Sequence, residues 1–71
     1  MSMTNAQYDV LVKLMRGNTE SPASRAARLV LVDGVSQADA MREAGASRTT
    51  VHLTVKRYTE AYKLIKLAFM E

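Results

Sequence analysis

From Arg48 to Glu71 the chain has neither glycine nor proline, and no other feature constrains its fold as tightly. Such a stretch permits one unbroken helix of about 36 Å at a rise of about 1.5 Å per residue. At about 100° per residue, Arg48, His52, Lys56, Lys63 and Lys66 share an arc of about 80°, with Thr49 beside it. A second stripe carries Val51, Val55, Tyr58, Tyr62, Ile65 and Phe69, with spacings that alternate between four and three. A basic polar face and an apolar seam therefore run side by side on one helix. Leu53, Leu64 and Ala68 fall off the seam. Together these residues carry more apolar area than one helix of a 71-residue monomer readily hides. The far end, Tyr62–Met70, is therefore expected to meet a second copy, with Tyr62, Ile65 and Phe69 as interface residues.

The remaining punctuation predicts three shorter helices. Thr4 with Gln7 forms a capping box, and Tyr8, Leu11, Leu14 and Met15 follow at helical spacing until Gly17-Asn18. Ser21-Pro22 reads as N-cap and first helical residue of a second helix, with Ala23, Ala26, Ala27, Val30 and Leu31 on one face and Gly34 at its end. Leu29–Val32 could pair as a strand, but no partner strand is evident, so helix is preferred. Ser36 caps a third helix, with Asp39 at the capping-box position and Gly45 at the end. Ser47 then caps the fourth. The expected fold is all-α: one small domain over residues 1–71, with a helix-turn-helix at about 36–57 and a dimer contact at about 58–70.

At 71 residues and 7.9 kDa the chain cannot enclose both a core and a large active-site cavity, and its marginal size favours an oligomer. Zero cysteines exclude a disulfide framework and any thiolate nucleophile, and a single histidine leaves too few ligands for a compact zinc site. No cofactor is expected. Asp39 and Glu43 have the spacing of paired carboxylates, but Arg42 adjoins them and no second pair exists to hold a metal. His52 lies on the polar face, not in a pocket beside a serine, and no phosphate-cradling glycine loop occurs. The expectation is therefore a non-enzyme. The N-terminus lacks the basic and apolar regions of a signal peptide, and the apolar runs are too short to cross a bilayer. The expected location is the bacterial cytoplasm, at the nucleoid. The net charge of +3 resides in residues 48–71, where five cations face two carboxylates. Residues 1–24 and 25–47 are each neutral. A basic C-terminal third points first to a nucleic acid and second to an anionic membrane.

The turn Gly45-Ala46-Ser47 between two helices has the grammar of a helix-turn-helix. Glycine supplies the positive φ, and Ala40 and Ala44 allow close approach. Val51 and Val55 close the angle between the helices. Ser47 caps the second helix, whose N-terminal end can then enter a major groove. Arg48 suits bidentate contact with a guanine edge, and Thr49 and His52 can reach neighbouring bases. Ser36, Gln37, Ser47, Thr50 and Lys56 are placed for phosphate contact. Arg57 could serve phosphate or a carboxylate such as Glu60. Arg25 and Arg28 could flank the backbone or form a solvated face. Two protomers would read an inverted repeat.

The stretch Ala27-Arg28-Leu29-Val30-Leu31-Val32-Asp33-Gly34, followed by Gln37-Ala38, Gly45-Ala46-Ser47-Arg48, Val51 and Val55, resembles the TrfB/KorA family of plasmid transcriptional repressors over about residues 3–62. The resemblance implies a homodimeric helical repressor on palindromic operators of plasmid replication, maintenance or transfer promoters. It matches Arg48 to an arginine opening the recognition helix and Gln37 to a glutamine opening the supporting helix. Ala40-Met41 replaces an aromatic-then-small pair, and Thr54 replaces a small apolar residue. Longer members carry a separate C-terminal dimerisation segment, which the seam through Phe69 is expected to replace. The expected partners are double-stranded DNA, a second copy and, further, a co-repressor protein, with no membrane partner. Two other readings stay open: a protein-interaction module using the C-terminal amphipathic helix, and the same helix lying on an anionic membrane.

Overall fold

The computed structural model describes residues 3–18 and 20–69. Each helix begins where a hydroxyl can accept an orphan amide hydrogen. Thr4 accepts from the Gln7 amide at 3.1 Å, and the Gln7 side chain accepts in turn from the Thr4 amide at 3.0 Å, so α1 (Asn5–Leu14) opens on a complete capping box. Ser21 accepts from Ser24 at 3.2 Å ahead of Pro22 and opens α2 (Pro22–Leu31). Ser36 does the same for α3 (Gln37–Ala44) through Asp39, and Ser47 for α4 (Arg48–Phe69) through Thr50, both at 3.2 Å. Only half of the expected capping box on α3 forms, because the Asp39 carboxylate turns to the guanidinium of Arg42. Four helices and no strand are present among the described residues.

The helix ends differ from expectation at one place. Helix α1 ends at Leu14, shortly before the expected stop at Gly17-Asn18, and the left-handed residue after it is Arg16, at φ 56°. Its amide donates to the Lys13 carbonyl at 3.0 Å, and the Gly17 amide donates to the Val12 carbonyl at 2.8 Å, which satisfies two of the last carbonyls of α1. Gly17 is needed for space instead. A Cβ built there would lie 2.8 Å from the Tyr58 hydroxyl and 3.1 Å from Val12. Gly34 and Gly45 take positive φ, as the sequence predicts.

Helices α3 and α4 both pack on α2, and α1 closes the remaining side. The core is built from small residues, with Ala26, Ala27, Ala40 and Ala44 buried beside Leu11, Leu31, Val51 and Val55. Alanines let the helix axes approach closely, so a short chain can still bury a contiguous core. Within the core Tyr8 packs against Tyr58, edge to face, with centroids 5.6 Å apart. The Tyr8 hydroxyl donates to the Ser24 carbonyl at 2.6 Å, so its burial costs no orphan donor. Burial pushes this hydroxyl well above the ordinary tyrosine pKa, and the neighbouring Tyr58 adds to the shift.

Leu14, expected on the core face of α1, is 65% exposed, while Val12 is fully buried in its place. Tyr8, Leu11 and Val12 form the inward arc, and Leu14 lies about 100° or more from its centre. Helix α4 runs unbroken through Phe69 and accounts for the long dimension of a body measuring 37 × 22 × 20 Å. The expected dimer contact extends to Met70, which lies outside the described residues.

Candidate nucleic-acid interface

The turn between α3 and α4 is tight for local reasons. Gly45 adopts φ 70° and ψ 31°, a left-handed conformation that costs an L side chain about 1 kcal/mol or more. Its amide donates to the Met41 carbonyl at 2.9 Å, and that of Ala46 to the same oxygen at 3.3 Å. Ala40, Ala44, Val51 and Val55 are all buried, so the apolar sides of α3 and α4 are fixed against the core and their polar sides turn outward.

Between those outward sides lies an open cleft of about 680 Å³. Gln37, Ala38 and Met41 line it from α3; Arg48, Thr49, His52 and Leu53 line it from α4. The three residues expected to read bases thus share one cleft with Gln37, and all four are exposed. Had Arg48, Thr49 and His52 been buried, no groove-reading role could stand. Leu53 is the residue that sequence reasoning set aside. It is 53% exposed, and its position off the seam beside Thr49 was the available signal. Met41, half-buried, forms part of the cleft wall on α3.

The residues expected on phosphate are exposed but are not gathered in one place. Ser36 and Ser47 sit at the two helix N-termini. Each accepts an amide hydrogen, and the Ser47 hydroxyl also donates to Thr50 Oγ1 at 2.8 Å. The Ser47 and Thr50 side chains are therefore joined to each other at the start of α4. Lys56 continues the arc of Arg48 and His52, but Thr50 and Arg57 lie about 100° or more around α4 from that arc. Arg57 makes no ion pair with Glu60; the Asp39–Arg42 pair, exposed and worth little to stability, is the only one among the described residues. Lys66 sits over the Tyr62 ring with Nζ 5.7 Å from the centroid, at the other end of the helix. Among the described residues no cluster of three metal-ligating side chains occurs, and no helix is long and apolar enough to cross a membrane.

A short helix, a glycine-hinged turn and a longer helix whose exposed first turns are cationic and polar define a small all-α domain of the helix-turn-helix type. The chain belongs to the family described as TrfB plasmid transcriptional repressor, whose family model matches residues 3–69 and so covers all four helices. That family is one of repressors rather than of enzymes. No curated protein and no solved structure matches the chain.

Proposed function

We propose that this plasmid repressor acts as a homodimer that binds a palindromic DNA operator and silences plasmid maintenance or transfer promoters from the cytoplasm. The observation that carries the reading is the convergence of Arg48, Thr49 and His52 with Gln37 around one exposed cleft at the leading end of α4. Arg48 has a fixed fork of donors that fits the guanine edge in the major groove. Thr49 and His52 offer shorter polar groups to the neighbouring pairs. Ser36, Gln37, Thr50, Lys56 and Arg57 fix register on the phosphates, with the N-terminal amides of α4 behind Ser47. Tyr62, Ile65 and Phe69 join the two protomers, which makes the site an inverted repeat with half-sites about 34–36 Å apart.

Selection of bound sequences from random duplex DNA tests this reading. The expected result is an enriched site with two-fold symmetry, bound less tightly as salt rises. Equal affinity for every duplex would overturn it. The interaction-module reading predicts instead that Tyr62→Ala or Phe69→Ala abolishes repression while Arg48→Ala and His52→Ala leave it intact.

A further inference from the structure

The cleft between α3 and α4 is polar only in part. Ala38 and Met41 of α3 and Leu53 of α4 place apolar atoms among the side chains of Gln37, Arg48, Thr49 and His52. Leu53 is 53% exposed. At about 100° per residue it lies about 160° around α4 from both Val51 and Val55, so it points away from the buried side of the helix. Thr49, four residues before it, and Lys56, three residues after it, share this outward side. A single exposed leucine elsewhere on the surface would need no explanation. This one stands beside the polar residues that face the base edges.

We propose that Leu53, with Ala38 and Met41 across the cleft, reads the 5-methyl group of a thymine in the operator half-site. The proposal rests on the DNA-binding reading above and adds to it a specificity contact that hydrogen-bonding residues do not make. In the major groove thymine alone of the four ordinary bases presents a methyl group, and an apolar surface is what distinguishes it. Charge and shape both favour a base edge as the occupant. Lys56 beside Leu53 and Arg48 at the start of the helix make this end of α4 attractive to a polyanion. A partner helix or a lipid surface would need a broad apolar face. Here the apolar atoms are few and lie among Gln37, Arg48, Thr49 and His52, a setting suited to one methyl group within a polar edge. Leu53 is five residues beyond Arg48, about 7.5 Å along the axis at about 1.5 Å per residue. Its thymine therefore lies near the base pair that Arg48 reads and is distinct from it.

The test uses the full chain and the operator duplex obtained by selection, with deoxyuridine replacing thymidine at one position at a time. Uracil pairs as thymine does and lacks only the methyl group. In the wild type one position of the half-site should lose about fourfold in affinity, the worth of one buried methyl group. Leu53→Ala should bind the thymine and uracil duplexes alike at that position, whereas Arg48→Ala should keep the uracil penalty. Because Leu53 is exposed, Leu53→Ala should unfold at the wild-type temperature, so the loss is one of recognition. A half-site without thymine, uracil tolerated at every position, or a penalty that persists at full size in Leu53→Ala would overturn the assignment while leaving operator binding intact. Selection that enriches no sequence would remove operator reading and this contact together. A second arm replaces each cytosine with 5-methylcytosine. Tighter binding there in the wild type but not in Leu53→Ala, with every uracil tolerated, would move the methyl group to cytosine and overturn the assignment to thymine.

Discussion

The two halves of α4 carry the same apolar stripe and do different things with it. Val51, Val55 and Tyr58 are buried against the other helices, Tyr62 and Ile65 are half-buried, and Phe69 is open to solvent. The spacing never changes along the helix; what changes is how many neighbours reach it. Residues 51, 55 and 58 are part of the buried core, with Tyr58 against Tyr8 of α1, while beyond them Tyr62 and Ile65 pack against that core only in part and border a groove whose other wall is α1. A heptad stripe therefore specifies an apolar face but not its partner. In the near half the stripe anchors the helix so that its polar side can project Arg48, Thr49 and His52. In the far half the same chemistry is left over for association.

The sharpest way to break this contrast is to place a charge on each half. Val51→Asp should cost about 4 kcal/mol or more, because the carboxylate has no partner at a fully buried site. Phe69→Asp, on the same stripe but 80% exposed, should change stability by no more than about 0.5 kcal/mol. Urea denaturation at low protein concentration checks both, and comparable losses would show that the far half is also core.

A second comparison sets the cations of the two halves against each other. Arg48→Ala should lose about 1–3 kcal/mol of discrimination between the operator and a single base-pair variant, with unchanged stability. Lys63→Ala, which removes only long-range attraction, should weaken binding to all duplexes alike and slightly, lowering the salt slope by well under one. Full discrimination in Arg48→Ala would remove its assigned role.

The boundary between the halves is marked by Tyr58, which closes over Gly17. Gly17→Ala should cost about 1–2 kcal/mol by overpacking against the Tyr58 hydroxyl. Tyr58→Phe removes that oxygen and should restore most of the loss, so a double-mutant cycle ought to show strong coupling. Additive effects would mean the turn shifts freely.

The gentlest perturbation is alkaline pH. The buried Tyr8 hydroxyl titrates above its unfolded value, so its contribution is complete below about pH 10 and is lost as pH rises toward the folded pKa. Stability should fall there by up to about 1.4 kcal/mol per pH unit, followed by tyrosinate absorbance and thermal unfolding. No loss above that of Tyr8→Phe would indicate that the ring is accessible to solvent.

Much of this was legible before any coordinates. Thr4, Ser21, Ser36 and Ser47 announce the helix starts, because each hydroxyl meets an amide only three residues away. Gly34 and Gly45 take the left-handed conformations their positions demand. Local chemistry of that kind needs no knowledge of the rest of the chain. Leu14 and Arg16 were not legible. Periodicity puts Leu14 close enough to Tyr8 and Leu11 to join their face, and nothing local prefers Arg16 over Gly17 for the left-handed residue.

Sequence alone determined where the helices begin, which side of α4 is basic, and that its first turns carry a cation, a hydroxyl and an imidazole. These follow from bond geometry and the helical repeat, whose range is a few residues. Only the tertiary structure decided that Gly17 must yield to Tyr58, that Val12 rather than Leu14 is core, that Leu53 joins the cleft, and that α1 and α4 part to leave a groove. Those outcomes depend on contacts between residues far apart in the chain, where the packing of whole helices overrides any single residue's preference.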